Sequence, residues 1–188
     1  MTFTRGMVIG LGIALGSALL AGSSILGQDA LKWKVQRQAW FEEDWPFPVD
    51  QWGTGRAFRC VAVQCGGEVH LYLRAKIGFC RCASGVSDDD EIDRVGDLEF
   101  VSAKYKPLAS GYPVAVGILK GRARLFAVER PLQSPITMLA IALAHKCDAV
   151  VATVMGTPDV QAVQEGAALE YLRSEMVQHW AEVNTGLE

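Results

Sequence analysis

The chain has 188 residues, of which 50% are hydrophobic and 21% are charged, and its formal net charge is −3 at pH 7. This composition excludes a disordered chain, because disordered chains combine low hydrophobicity with high net charge. Lys and Arg are scattered without a basic stripe, so we expect no nucleic-acid partner. The length predicts one packed domain with an N-terminal appendage.

The first segment, residues 1–28, is predicted to be a signal peptide or a transmembrane anchor. Residues 6–28 contain no charged side chain, and the only charged side chain before them is Arg5. A signal peptide has a basic start, an apolar run and small residues at the cut, and residues 21–23 (Ala-Gly-Ser) fit that cleavage site. A retained helix needs about 20 apolar residues, which this run also supplies. Both alternatives stay open.

The compartment is indicated by two features that disagree. Lys32, Lys34 and Arg37 follow the apolar run, and the positive-inside rule favours a cytoplasmic location for such a flank. Five cysteines with spacings that match no common zinc motif favour an oxidising compartment. On balance we expect residues 30–188 to be periplasmic or otherwise extracytoplasmic, retained at the inner membrane if residues 1–28 stay uncleaved.

Residues 29–55 form an aromatic-rich connecting segment. Amphipathic rings favour a membrane interface, so this segment could be a membrane belt or a docking surface for a membrane-protein partner. It could instead wrap the domain and bury its rings. Pro46 and Pro48 argue against long regular structure, and we expect a short helix at 31–40 and an ordered connection at 41–55. The candidate surface residues are Trp33, Trp40, Phe41, Trp45, Phe47 and Trp52.

A single domain is predicted at 56–188, and it opens with a hairpin at 56–77. Gly66-Gly67 suits a two-residue turn between two runs of strand-forming residues. With that turn, Cys60 lies opposite Leu73. The pleat then puts Cys60 on an apolar face with Phe58, Ala62, Val69, Leu71 and Leu73, and Cys65 on the opposite, mixed face with His70.

The stretch after the hairpin predicts one short helix and a meander. Ser87 with Asp90, or Asp88 with Glu91, has the spacing of a capping box, so we expect helical turns near 88–95. A calcium loop is disfavoured there, because Ile92 and Arg94 interrupt the alternation of acidic ligands. Further strands are expected at 113–119, 122–129, 136–144 and 148–154, with turns at Lys120-Gly121, 131–135 and His145-Lys146.

The C-terminal stretch predicts one helix of about 25 residues that begins at Thr157-Pro158. Its expected apolar stripe consists of Val160, Val163, Ala167, Leu172, Met176, Trp180 and Val183. The predicted fold class is therefore α+β: a twisted antiparallel sheet of five to seven strands, covered by this helix and preceded by an N-terminal signal or anchor helix.

The cysteines predict two disulfides and one spare thiol. Cys60 and Cys65 are expected not to bridge each other, because five extended residues put them roughly 16 Å apart on opposite faces. The favoured pairing joins Cys65 to Cys80 or Cys82, and Cys60 to the remaining one or to Cys147. The alternative is a copper or zinc site made of Cys65, His70, Cys80 and Cys82.

Three functional hypotheses follow, in order of preference. The chain contains no Gly-x-Ser-x-Gly, P-loop, dinucleotide-binding or His-Glu-x-x-His motif, so we expect no enzymatic activity and no cofactor. The first hypothesis is an exported or membrane-anchored, disulfide-stapled accessory protein that contacts a membrane or membrane-protein partner. The second is a periplasmic copper or zinc carrier, and the third is an enzyme of unrecognised class.

Overall fold

The structure is a computed structural model, and it describes residues 39–61, 63–79, 81–157 and 159–185. The predicted segment 1–28, Trp33 and most of the expected helix 31–40 lie outside these ranges. The described strands are β1 (Trp40–Glu43), β2 (Arg56–Cys60), β3 (Val69–Lys76), β4 (Tyr105–Pro107), β5 (Tyr112–Val116), β6 (Leu119–Val128), β7 (Ile136–His145) and β8 (Asp148–Gly156). The described α-helices are α1 (Asp89–Val95), α2 (Ala162–Leu172) and α3 (Glu175–Thr185), and 3-10 turns lie at Val63–Cys65 and Leu98–Phe100.

The strands form one antiparallel sheet in the order β1-β2-β3-β8-β7-β6-β4, and β5 also pairs with β6. The α+β class and the antiparallel arrangement are confirmed, but the described sheet has eight strands instead of five to seven. The strands that were not predicted are β4 and β1, and β1 lies where the end of a short helix and an ordered connection were expected. The turn between β5 and β6 lies at Gly117 and Ile118, where Gly117 has a φ of 59°, so the predicted turn at Lys120-Gly121 is wrong.

The hairpin of β2 and β3 forms, but its predicted register is wrong. Cys60 lies opposite Val69 instead of Leu73, a shift of four residues. The reason is that β2 ends at Cys60 and the chain then folds into the 3-10 turn Val63–Cys65, so the loop is longer than two residues. Because an even shift preserves the alternation of side chains, the described residues of the predicted apolar face are all buried in one core cluster.

The sheet carries a hydrophobic core on each face. One face packs against α2 and α3, and its cluster includes Phe58, Leu71 and Ile141. The other face packs against α1, with Ile92 and Val95 set against Met138 from β7. The predicted short helix is confirmed as α1, because Asp88 is its N-cap and accepts a 2.9 Å hydrogen bond from the Glu91 N–H.

The C-terminal helix is two helices, so the prediction of one long helix is wrong. The first helix begins after Gln161 and not at Thr157 as predicted. Gln161 forms a capping box, in which its backbone N–H donates to Gln164 Oε1 at 2.8 Å. The break at Arg173 and Ser174 then changes the helical phase. The buried side of α3 consequently carries Val177, Ala181 and Thr185, whereas the predicted stripe residues Met176 and Val183 are exposed.

Candidate functional site

Cys60 and Cys65 form a disulfide, which the extended-strand reasoning excluded. The 3-10 turn brings their Cα atoms to 6.3 Å, within the usual range for a bridge. Both residues are fully buried against the helix-covered face of the sheet. The prediction that Cys65 lies on the mixed face is therefore wrong as well, because the turn redirects its side chain.

The second disulfide joins Cys82 to Cys147 and closes a sequence separation of 65 residues. It ties the chain that follows β3 to the turn between β7 and β8. The expectation of two bridges is confirmed, but none of the preferred pairings is. Cys80, the remaining cysteine of the sequence, lies outside the described residues.

The residues of the alternative metal site are not brought together as thiolate ligands, because Cys65 and Cys82 belong to different disulfides. His70 contacts carboxylates on its two sides: Nδ1 lies 3.4 Å from Glu43 Oε2, and Nε2 lies 3.5 Å from Glu68 Oε1. In the ranges that the structure describes, no group of three or more His, Cys, Asp or Glu side chains could hold a metal ion.

Trp45, Phe47 and Trp52 lie half-buried in the connection between β1 and β2. Trp45 and Phe47 contact each other and pack around Tyr72 and Phe100, with Phe47 stacked on Phe100 at a centroid distance of 5.1 Å. In a separate contact, Trp52 packs against Phe79. These aromatic contacts hold the connection between β1 and β2 against the face of the sheet that carries Tyr72 of β3.

Below these rings lies an ionic cluster that the sequence did not reveal, in which Arg74, Lys76 and Asp97 are buried and Asp50 is partly exposed. The guanidinium of Arg74 lies over the Phe100 ring at 4.7 Å and donates to Asp50 Oδ1 at 2.5 Å. Lys76 and Asp97 complete the cluster, and burial raises the pKa of Asp97 despite these nearby cations. Sequence reasoning missed this cluster, because no sequence pattern predicts that Trp45, Asp50 and Phe100 come together over Arg74.

Trp40 and Phe41 lie on β1, the first strand of the sheet. Within the described residues, β1 pairs with β2 alone, so its outer edge is unpaired there. Phe41 is 57% exposed on one side of this edge. Trp40 points to the other side, where it is buried and stacks on Tyr171 at a centroid distance of 4.8 Å.

A cavity of about 350 Å³ opens beside this edge, between β1 and the junction of α2 with α3. Phe58 and Tyr171 supply its aromatic wall, and burial raises the pKa of the Tyr171 hydroxyl. The lining residues are Trp40, Glu42, Phe58, Tyr171, Ser174, Glu175 and Met176. The outer edge of β1 together with this cavity is the candidate site, and we call it the β1 site.

A charged pair borders the β1 site. Arg56 donates from Nε to Glu42 Oε1 at 2.7 Å, and its Nη1 lies 3.2 Å from the sulfur of Met176. The hydrogen bond from Arg56 is the main reason that the pKa of Glu42 lies below its usual value. Since this pair fixes the Glu42 side chain beside β2, the cavity has an ordered polar border and a largely apolar interior.

Sequence reasoning found Trp40 and Phe41 through their aromatic density, but it missed Tyr171 and Met176. Met176 was placed in the buried stripe of a single helix, and Tyr171 was in no predicted site. Tyr171 and Met176 both reach the cavity because the helix breaks at Ser174. The sequence signal for this break was the serine itself, since serine is a preferred N-cap residue and its Oγ accepts a 3.4 Å hydrogen bond from the Val177 N–H.

None of the helices in the described ranges is long and apolar enough to cross a membrane. No protein-family model matches the chain, and neither a curated protein nor a solved structure shows significant similarity to it.

Proposed function

We propose that the protein is a non-catalytic binding protein that accepts an extended segment of a partner protein at the β1 site. The two disulfides are consistent with an oxidised, exported protein. The observation that carries the proposal is the outer edge of β1, which no described residue pairs with and which lies beside an aromatic cavity. If residues 1–28 are retained in the membrane, the partner is a membrane protein or a subunit of a membrane complex.

The geometry of β1 suits strand addition. An edge strand offers a row of backbone N–H and C=O groups, and an added strand gains affinity from them. Alternate residues of an added strand face the same side of the sheet. Trp40 and Glu42 define the side of the cavity, so one side chain of the partner would enter it, and the volume is near the lower end of the range of about 300–1,000 Å³ for ligand sites.

The charges around the β1 site favour a basic partner segment. Four carboxylates surround the edge and the cavity, and two guanidinium groups from β2 neutralise part of them. Complementary charge raises the association rate and excludes acidic segments. We therefore propose a large apolar side chain for the cavity, flanked by Lys or Arg. The carboxylates belong to Glu42, Glu43, Asp44 and Glu175, and the guanidinium groups to Arg56 and Arg59.

Selection from a random ten-residue peptide library on the full-length protein, followed by fluorescence anisotropy with the selected peptides, tests this proposal. The selected peptides should be basic with one large apolar residue. N-methylation of alternate backbone amides should abolish their binding, because it removes the hydrogen bonds to β1.

A matched pair of variants locates the bound peptide. Met176→Lys puts a cation at the cavity and should weaken binding about tenfold or more, since one lost contact of 1.4 kcal/mol corresponds to a factor of ten. Val183→Lys, an exposed position on the same helix, should leave binding unchanged. An absence of selected peptides, or binding that neither N-methylation nor Met176→Lys affects, would rule out the β1 site.

A further inference from the structure

We infer that one end of the domain rests on a lipid bilayer, with Val63 and Leu132 in the membrane interface. This inference goes beyond partner binding at the β1 site, and it rests on the part of the proposed function in which residues 1–28 are retained. We call this end of the sheet the entry end, because β1 begins there, and we define it by the loops 61–68 and 129–135.

The strand register places the start of β1 and both loops at the same end. Trp40 lies opposite Cys60, so β1 begins beside the loop 61–68 that joins β2 to β3. The loop 129–135 joins β6 to β7, and the intervening pairs β3-β8 and β7-β8 put it at the same end. In the strand order the two loops are three strand spacings apart, about 14 Å.

The tips of these loops carry the two most exposed large apolar side chains in the described part of the chain. Val63 is 94% exposed, and Leu132 is fully exposed. An isolated exposed apolar residue is ordinary on a protein surface. Two such residues at the tips of neighbouring loops form a spaced pair that could enter an apolar layer together.

Both tips are held rigidly in the exposed position. The Cys60–Cys65 disulfide closes the first loop at its base. In the second loop, prolines 131 and 135 flank the tip, and Leu132 has a φ of 58°. A leucine in the left-handed region costs roughly 1–2 kcal/mol, so the chain keeps this side chain in solvent at a cost in stability.

The choice of a bilayer as the occupant rests on the sequence before β1, taken as a retained membrane anchor. The uncharged run 6–28 is long enough to span a hydrocarbon core, and the eleven residues 29–39 join it to β1. Eleven extended residues reach at most about 40 Å, so the entry end would stay near the membrane surface. The linker also carries Lys32, Lys34 and Arg37, which are attracted to anionic headgroups.

The two loops that define the entry end carry a net charge of −1. Arg130 brings one positive charge, and Glu68 and Glu129 bring two negative charges. Electrostatic attraction of the domain itself is therefore weak. The apolar tips are what would hold the entry end on the bilayer once the linker has placed it there.

Photo-crosslinking of the full-length protein in vesicles tests this inference. The vesicles contain phosphatidylethanolamine and phosphatidylglycerol, and a diazirine amino acid replaces Val63, Leu132 or, as the control, Ile118. Ile118 is 68% exposed in the turn between β5 and β6 at the opposite end of the sheet. Lipid adducts, measured by mass spectrometry, should be several-fold more abundant at positions 63 and 132 than at 118.

A second measurement uses Leu132→Asn, because asparagine accepts left-handed backbone and this variant should fold at least as stably as the unmodified chain. It should reduce lipid labelling at position 63, whereas Ile118→Asn should not. Equal labelling at all three positions, adducts to a second copy of the chain, or failure of the full-length protein to associate with the vesicles would each overturn the inference. Peptide binding to the same preparation tells whether the β1 site fails as well.

Discussion

Lys76 Nζ lies 2.7 Å from Asp97 Oδ1, and both side chains are almost completely buried. Lys76 also donates to the Val95 carbonyl at 2.8 Å, so one ammonium group joins β3 to the end of α1. The nearest other cation is Arg74, whose Nη1 lies 3.6 Å from Asp97 Oδ1. Lys76 is therefore the principal partner of a buried carboxylate.

We predict that Lys76→Met lowers the free energy of unfolding by about 3–5 kcal/mol, because removing one partner leaves a poorly compensated buried charge. Urea denaturation measures this loss. Lys120→Met, at an exposed lysine of β6, should change stability by less than about 0.5 kcal/mol. If the two variants are equally stable, Asp97 does not depend on Lys76.

Tyr72 should make stability fall at alkaline pH. Burial, with a smaller contribution from Glu43, raises the pKa of its hydroxyl to about 12 from the usual value of 10.0. The folded state thus holds this proton more tightly than the unfolded state does. The resulting stabilisation is complete below pH 10 and is lost as the pH rises from about 10 to about 12.

The measurement is the urea midpoint as a function of pH, and Tyr72→Phe is the comparison. This variant keeps the ring that packs on Phe47, but it has no hydroxyl to ionise. Its midpoint should fall less steeply above pH 10 than that of the unmodified protein. Parallel curves for the two proteins would show that Tyr72 ionises equally in both states.

The two disulfides should contribute unequally to stability. A bridge restricts the unfolded chain more when it closes a longer loop, and the sequence separations are 65 residues for Cys82–Cys147 and 5 for Cys60–Cys65. We predict a loss of about 4 kcal/mol when Cys82 and Cys147 are both replaced by serine. The corresponding loss for Cys60 and Cys65 should be about 2 kcal/mol.

Thermal or urea unfolding of the two double variants checks this order, and non-reducing peptide mapping of the unmodified protein checks the pairing first. Peptides that link Cys65 to Cys82 or Cys147 would contradict the connectivity. A larger loss for the Cys60 and Cys65 pair would show that its contribution comes from the folded loop and not from chain entropy.

Two glycines should respond in opposite ways to alanine. A Cβ at Gly121 in β6 would overlap with the backbone carbonyl of Ala142 in β7, so Gly121→Ala should destabilise the sheet by about 1–3 kcal/mol through overpacking. Gly166 is exposed within α2, and a Cβ there meets no atom within 4 Å. Gly166→Ala should raise stability by about 0.5–1 kcal/mol, because alanine is the better helix former.

Melting temperatures of the two variants are sufficient to test this pair. Since the same methyl group is added in both, the difference isolates the environment of each position. A stabilised Gly121→Ala variant would mean that β6 and β7 are farther apart at this point than described.

Some of the fold could be predicted because it depends on local signals. The alternation of apolar residues in β3 gave the correct buried face, and the Asp88–Glu91 spacing gave α1. The register of β2 against β3 could not be obtained in this way. It depends on where the chain leaves the extended conformation, and the run Val61–Cys65 has as much strand propensity as the strand before it.

The candidate site was predictable only in part, for a related reason. The aromatic density between Trp40 and Trp52 marked an important segment, but Trp40 is buried against Tyr171 while Phe41 faces solvent. These two neighbours differ in exposure because their side chains point to opposite sides of an edge strand. Neither the position of β1 nor its cavity has a local signal. The strand β1 pairs with residues 14 to 20 positions later in the sequence, and the cavity beside it forms at a helix break more than 100 residues away.

The pairing of β3 with β8 has a consequence for the order in which the protein matures. The loop of the Cys60–Cys65 bridge is complete as soon as residue 65 has been synthesised, so this bond can form before the rest of the chain is available. The sheet cannot close until β8 arrives, because Val69 lies opposite Gly156. Cys82 must likewise wait for Cys147, and until then Cys80 is the nearest thiol in the sequence with which it could pair wrongly. Cys82 therefore carries the main risk of mispairing, and a disulfide isomerase would act on Cys82 more than on Cys60.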